Sequence, residues 1–196
     1  MNMALDAYTD GSDEVLLILY GNGDPTAAQV LTARLAPRVM GYAARLLGGD
    51  RAEAEDVTQE AMLRLWKQAP NWRQGEAKVT TWLYRVVSNL CTDRLRKRRS
   101  VDIDAIEEPA DDMPSAVESM MEQDRANALQ AALMALPERQ RIAVSLRHLE
   151  GASNPEIAEI LEISVEAVES LTARGKRALA AALAGRREEL GYGEDG

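Results

Sequence analysis

Residues 78–99 read KVTTWLYRVVSNLCTDRLRKRR and combine an amphipathic helical pattern with a basic run. Apolar residues recur at helical spacing along one side, namely Val79, Trp82, Leu83, Val86, Val87 and Leu90. The other side is polar, with Lys78, Thr81, Arg85, Ser88, Asn89 and Thr92. Five cations follow between Arg94 and Arg99, more than a helix C-terminus needs, and they repel one another unless a polyanion lies near. The run alone favours a nucleic-acid surface and a solvated helix end about equally.

Composition indicates an all-α protein without an enzymatic site. The 196 residues are 46% apolar and contain no Phe, so the core must consist of aliphatic residues, a mixture that favours helices. Cys91 is the only cysteine and His148 the only histidine, and neither has an obvious catalytic or metal-binding companion. No phosphate-binding glycine loop occurs. We therefore expect no enzymatic activity, no metal and no cofactor. No apolar window reaches membrane-spanning length, so we expect a cytoplasmic protein without membrane contact of its own.

The net charge of −9 is unevenly distributed along the chain. Residues 25–99 hold fourteen basic and seven acidic residues, a local charge of +7. Residues 100–114 hold six acids and no base, and the segments 1–24 and 188–196 carry only acids. A partner within the screening length of about 10 Å responds to this local charge, so the overall acidity does not exclude nucleic acid.

The first half of the chain predicts a helical bundle. Ser12 can cap a short helix over 15–20 within the lead 1–24, and Pro25 suits the first turn of the next helix. Pro37 lies inside that helix and predicts a kink or break. A third helix is predicted over 51–68. The loop before Lys78 carries Trp72 and Arg73, which could stack on an unpaired base, although Trp72 could equally fill the edge of the domain.

The second half predicts a separate helical domain beyond an exposed acidic linker at 100–114. A capping box at 115–118 begins a long helix that ends at Leu136, and another helix covers 138–149. A second capping box at Ser153 opens a short helix, and a tight break at 163–164 precedes a longer basic helix over 165–184. This arrangement is typical of a helix-turn-helix, which raises the case for DNA binding.

At these residues the chain resembles the bacterial RNA polymerase sigma factors of the extracytoplasmic-function (ECF) class. AEDVTQEAMLRLW and TTWLYRVVSNLCTDRLRKRR resemble region two of that class. LPERQRIAVSLRHLEGASNPEIAEILEISVEAVESLTARGKRAL resembles region four. The resemblance implies two small helical domains, 25–99 and 115–187, joined by the linker, with no third domain.

The resemblance also implies roles for individual residues. The third helix would bind the core polymerase through positions matching Asp56, Gln59, Glu60, Arg64 and Trp66. The basic helix would open the minus-ten promoter element and hold its non-template strand, with Arg73, Lys78, Thr81, Trp82, Arg85, Asn89, Arg94, Arg96, Lys97, Arg98 and Arg99. Asn89 matches a base-reading position. The last helix would enter the major groove of the minus-thirty-five element, with Ser164, Glu166, Ala167, Glu169, Ser170, Thr172, Ala173, Arg174, Lys176 and Arg177.

One departure and three partners complete these expectations. Many members of the class carry arginines where Glu169 and Leu171 stand, so a changed minus-thirty-five preference is expected. Core RNA polymerase and promoter DNA are the implied partners, together with an anti-sigma factor that holds the protein inactive. Two alternatives stay open: a helix-turn-helix regulator that acts without polymerase, and a helical adaptor whose basic helix binds an acidic protein.

Overall fold

The computed structural model describes residue 8, residues 11–73, residue 75 and residues 77–101 and 117–184, with the backbone alone at 101 and 117–122. Every regular element in these ranges is helical. None of the described helices has both the length and the apolar character needed to cross a bilayer. The predicted linker beyond Val101, the first two residues of the capping box predicted at 115–118, residues 1–7, 9 and 10 of the lead and the acidic tail 188–196 lie outside the described residues.

Four helices form an N-terminal group, as the sequence predicted. They are α1 (Asp13–Gly21), α2 (Pro25–Leu46), α3 (Arg51–Gln68) and α4 (Val79–Val101), with a 3₁₀ turn at Ala69–Asn71 after α3. Ser12, Asp24 and Asp50 cap the first three helices with side-chain oxygens that accept backbone N–H groups. The core is largely aliphatic, with Tyr42 fully buried and its hydroxyl 2.7 Å from Ser88 Oγ.

Helix α2 continues through Pro37, so the break predicted there does not occur. Proline removes one backbone hydrogen bond, but Pro37 lies on the exposed side of the helix. The opposite side buries residues on both sides of Pro37, among them Leu35 and Val39. Packing on that side therefore outweighs the local preference of proline for a helix end.

Four further helices form a C-terminal group. They are α5 (Val117–Ala135), α6 (Glu138–Val144, continued by a π-helical turn at Ser145–Leu149), α7 (Asn154–Leu161) and α8 (Val165–Ala184). The predicted capping box is confirmed at the start of α7, where Ser153 and Glu156 bond each other's backbone N–H. Gly175 lets α8 approach α6, because a Cβ built there would lie 2.5 Å from Val144 Cγ2. The pair α7–α8 thus has the predicted helix-turn-helix arrangement.

The two groups pack against each other rather than standing apart. A single cluster of buried apolar residues includes Leu83 and Cys91 of the N-terminal group and Leu146 and Ile157 of the C-terminal group. Gln130 of α5 also donates a hydrogen bond of 2.9 Å to the carbonyl oxygen of Arg45 at the end of α2. The sequence predicted both groups but not this contact between them.

Candidate nucleic-acid interface

Helix α4 places four polar side chains along one face, which we name the α4 stripe: Lys78, Arg85, Asn89 and Arg96. Their spacings of seven, four and seven residues return to the same side of a helix with 3.6 residues per turn. Lys78 comes just before the first residue of α4. Lys78, Asn89 and Arg96 are exposed, and Arg85 is partly exposed. The cations of the stripe can bind phosphates and its amide can bind a base edge, as expected of a nucleic-acid surface.

The aromatic residues beside the stripe pack mostly into the core. Trp72 is only 9% exposed and meets Trp82 edge to face, with ring centroids 6.3 Å apart. Trp82 is half-buried. The burial of Trp72 favours its alternative role, that of filling the edge of the domain, while Arg73 in the same loop is exposed. Thr81 is 4% exposed and is covered in this arrangement.

The basic run at the end of α4 divides into two sets. Arg94 pairs with Glu53 of α3, and its Nη1 lies 3.9 Å from Asp56 Oδ2. Arg98 Nη2 lies 2.5 Å from Asp50 Oδ2. Partial burial lowers the pKa of the Arg94 guanidinium, but the surrounding carboxylates together outweigh it, so that the pKa is raised. Arg96, Lys97 and Arg99 are exposed. We infer that the first set fixes α4 on α3 and that the second set faces solvent and can bind phosphates.

The predicted polymerase-binding residues of α3 do not all share one environment. Asp56, Gln59 and Glu60 lie on one face, where Glu60 forms an ion pair of 2.6 Å with Arg64. Trp66 is half-buried and packs edge to face on Tyr20 of α1, with centroids 4.9 Å apart.

Leu63 extends that face and was missed by sequence reasoning. It lies one turn from Gln59 and Glu60, and 58% of it is exposed. The sequence contains a signal for this residue, because Leu63 is apolar but falls outside the apolar stripe of its helix. A single exposed leucine is ordinary on a protein surface, so Leu63 is of interest here only because it adjoins residues predicted to contact polymerase.

The predicted major-groove residues line the accessible side of α8. Exposed side chains are Ser164, Glu166, Glu169, Ser170, Ala173, Arg174, Lys176 and Arg177, and Ala167 and Thr172 are half-buried. Ser164 Oγ accepts the backbone N–H of Ala167 at 3.2 Å. Arg174 donates to Ser170 Oγ at 2.8 Å from one turn further along the helix. Glu166 and Glu169 are thus acids in the first turns of a face whose later turns are basic.

Helix α7 lies directly on the first half of the α4 stripe, a contact that local sequence patterns did not reveal. Lys78 Nζ donates to Glu156 Oε1 at 2.7 Å, and Arg85 pairs with Glu162. At the base of this contact, Glu150 accepts hydrogen bonds from Arg45 and from Tyr84, the latter at 2.5 Å. In these three ion pairs the base belongs to the N-terminal group and the acid to the C-terminal group.

Glu156 is held in its charged form by this contact. The hydrogen bond from Lys78 is the largest cause that lowers its pKa, from 4.5 to about 2, and bonds from Ser153 add to it. Because the folded pKa lies below the unfolded one, the contact stabilises the protein at neutral pH. That contribution is lost as the pH falls from about 4.5 through about 2.

Comparison with known proteins identifies the family. Residues 31–101 match Sigma-70 region 2 and residues 126–179 match Sigma-70 region 4. The chain is 35% identical over 171 residues to the ECF RNA polymerase sigma factor SigM of Mycobacterium tuberculosis, covering 86% of this chain and 83% of SigM. It is 30% identical over 186 residues to RNA polymerase sigma-H factor of Pseudomonas aeruginosa, covering 89% and 95%.

Solved structures agree with this fold. CnrH, in its complex with the cytosolic domain of CnrY, aligns with a TM-score of 0.66 at 25% identity over 88% of this chain and 97% of CnrH. RpoE, in its complex with the anti-sigma factor NepR from Bartonella quintana, aligns with a TM-score of 0.65 at 22% identity over 78% and 93%. The chain therefore belongs to the sigma-70 family of bacterial RNA polymerase sigma factors, in its ECF class.

The contact between α4 and α7 can be tested by titrating Glu156. In the intact chain we expect its side-chain carboxyl signal to titrate with a midpoint near 2 in carbon-13 NMR. Lys78→Ala should move the midpoint up toward the ordinary glutamate range, because it removes the strongest hydrogen bond to the charged form. Lys67→Ala, which removes an exposed cation from α3, should leave the midpoint where it is. An unchanged midpoint in Lys78→Ala would show that α7 does not lie on α4.

Proposed function

We propose that the N-terminal group binds core RNA polymerase through α3 and reads the minus-ten element through α4, and that α8 reads the minus-thirty-five element. The observation that carries the proposal is the α4 stripe, in which the exposed Asn89 lies between Arg85 and Arg96. Cations on both sides would hold the strand backbone while the amide reads one base. Domain limits of 25–99 and 115–187 belong to the same proposal.

The polymerase surface that we propose is the face of α3 with Asp56, Gln59, Glu60 and Leu63. It combines exposed polar groups with one exposed aliphatic side chain, a mixture suited to a specific protein contact. The acids of this face also lie near Arg94 of α4, with Glu60 at 4.0 Å. A polymerase bound to this face would consequently contact α3, the helix that packs against the DNA-reading helix α4.

We propose that the protein is not an enzyme and that it acts in the cytoplasm. It would direct the polymerase to promoters, and the active site of the polymerase would make the RNA. Within the described residues no group of three His, Cys, Asp or Glu side chains is placed to bind a metal ion. A cytoplasmic location follows from the need to contact polymerase and DNA.

An anti-sigma factor is the proposed regulator. RpoE, whose fold this chain shares, was solved with the anti-sigma factor NepR bound, and CnrH, which shares 25% identity with this chain, was solved with the cytosolic domain of CnrY bound. The likeness spans both helical groups of this chain, so a partner that contacts both groups at once is the simplest arrangement. Pull-down of the tagged chain from its own cells should recover such a protein, and recovery of only free chain and holoenzyme would count against it.

The proposal is tested by reconstitution with core polymerase. The purified chain should confer initiation at discrete promoter sites, whereas core polymerase alone should give none. A regulator that acts without polymerase would bind duplex promoter DNA unaided, and an adaptor would support neither activity. Absence of promoter-specific initiation across a genomic fragment library would overturn the proposal.

Asn89→Ala should impair promoter opening in that assay while core binding stays near normal. The side-chain amide is exposed on the α4 stripe, so its loss removes a base contact without opening a cavity. Opening, followed by permanganate reactivity of unpaired thymines, should fall about tenfold or more, as expected for a bidentate base contact. Asn127→Ala, an exposed asparagine on α5, is the control. Equal loss of opening and core binding would remove the support for a base-reading Asn89.

Glu169 should set the base preference of the minus-thirty-five element. A carboxylate accepts a hydrogen bond from the cytosine N4 amino group and repels phosphate, so we expect one cytosine to be selected opposite Glu169. Holoenzyme selection from a promoter library randomised at this element should show that preference for the native chain. Glu169→Gln should reduce the preference about tenfold, while Asp124→Asn on the exposed side of α5 should not. An unchanged sequence profile in Glu169→Gln would contradict the assignment.

A further inference from the structure

The N-cap residue of α4 cannot cap the helix with its own side chain. The backbone N–H of Trp82 donates to the carbonyl oxygen of Lys78 at 3.1 Å, which makes Lys78 the N-cap residue. A lysine side chain has donors only and cannot bond the N–H groups of the first turn. Its charge is also unfavourable beside the positive end of the helix dipole. Helices α1, α2 and α3, by contrast, begin with side-chain acceptors at Ser12, Asp24 and Asp50.

A cap for α4 comes instead from α1, 65 residues earlier in the chain. Glu14 Oε1 accepts a hydrogen bond of 3.1 Å from the backbone N–H of Val79, the first residue of α4. Burial tends to raise the pKa of Glu14, but hydrogen bonds from its own backbone N–H, from Val79 and from Ser12 outweigh burial, so that the pKa is lowered. The charged carboxylate therefore satisfies one N–H group of α4 and complements its helix dipole.

The other end of α1 touches the turn that follows α3. A Cβ built on Gly21, the last residue of α1, would lie 2.8 Å from the carbonyl oxygen of Ala69 and 3.4 Å from Pro70 Cα. Both atoms belong to the backbone of the 3₁₀ turn Ala69–Asn71, so a larger residue at position 21 would displace that turn. Helix α1 is thus in close contact with the backbone just before Trp72.

Helix α1 therefore contacts the chain on both sides of segment 72–78. The two contacts lie at opposite ends of α1, about 10 Å apart along the helix. Leu16 and Leu17 lie between them and are 1% and 0% exposed, so the core holds α1 in place. Arg73 and Lys78, which we propose as DNA contacts, belong to the segment whose two ends are fixed in this way.

We propose that α1 positions the minus-ten reader, with Glu14 fixing the N-terminus of α4 and Gly21 fixing the turn at the other end of segment 72–78. This inference rests on the proposed reading of the minus-ten element by α4. Helix α1 precedes residues 31–101, which match Sigma-70 region 2, so the reader includes a helix outside the matched residues. Glu14 and Gly21 are positioning residues, since each acts through the backbone atoms that it contacts.

Glu14→Ala tests the cap in holoenzyme made with the full-length chain. Loss of the acceptor should let the first turn of α4 fray, so promoter opening, followed by permanganate reactivity, should fall about fivefold while core binding stays near normal. Glu14→Gln keeps an oxygen acceptor and should recover most of the opening. Asp13→Asn is the matched control, because Asp13 is the neighbouring acid of α1 and bonds Arg34 of α2 at 2.8 Å. Its opening should match that of the native chain.

Amide exchange distinguishes positioning from a general loss of stability. In hydrogen exchange followed by NMR, the Val79 amide should exchange about fivefold faster in Glu14→Ala and at the native rate in Asp13→Asn. Native opening or native Val79 exchange in Glu14→Ala would overturn the proposal. An equal loss of opening in Asp13→Asn, or no recovery in Glu14→Gln, would overturn it as well.

Gly21→Ala tests the other contact and decides alone if circular dichroism shows that Glu14→Ala does not fold. The added methyl group favours the helix of α1 but must displace the backbone of Ala69, so opening should fall severalfold while core binding is kept. Native opening, or an equal loss of core binding, would contradict the positioning role. Failure of the proposed function would appear instead as absent promoter-specific initiation by the native chain.

Discussion

The positive charges of α4 repel one another unless acidic side chains lie near them. The acids that pair with these charges also hold α4 against its neighbouring helices. Seven Lys or Arg side chains belong to residues 78–99, and two sets of acids meet them. Acids at the start of α3 pair with Arg94 and Arg98 inside the N-terminal group, whereas Glu156 of α7 and Glu162 just after it pair with Lys78 and Arg85 from outside that group. The first set belongs to one group, and the second depends on the packing of the two groups. Helix α4 is therefore fixed within its own group near its C-terminal end and joined to the other group near its N-terminal end.

Local sequence rules predicted most of the secondary structure because its determinants are local. The spacing of apolar residues and the caps at Ser12 and Ser153 located helices that the structure confirms. At Pro37 the predicted break does not occur, since burial of the opposite side of α2 outweighs one missing hydrogen bond. The helix-turn-helix was predictable for the same reason, as capping box, short helix, turn and basic helix all lie within about thirty residues.

The contact between the two groups could not be read from the sequence in the same way. Glu156 reads in the sequence as part of a capping box and Glu162 as a solvated acid, and nothing within their own segment identifies Lys78 or Arg85 as partners. Nor does the segment around Thr81 predict that this residue is only 4% exposed. Membership of the ECF class agrees with the predicted fold and function, while the roles of single side chains rest on the geometry around them.

Distance between the two groups is the measurement that tests this account most directly. Fluorescent labels at Ala52→Cys and Ala180→Cys would occupy exposed sites of the two groups, and the native Cys91 is buried. Single-molecule energy transfer should show one high-efficiency population in the free chain and a low-efficiency population in the promoter-bound holoenzyme. A free chain that already shows low efficiency, or a holoenzyme that keeps the high-efficiency population, would contradict the account.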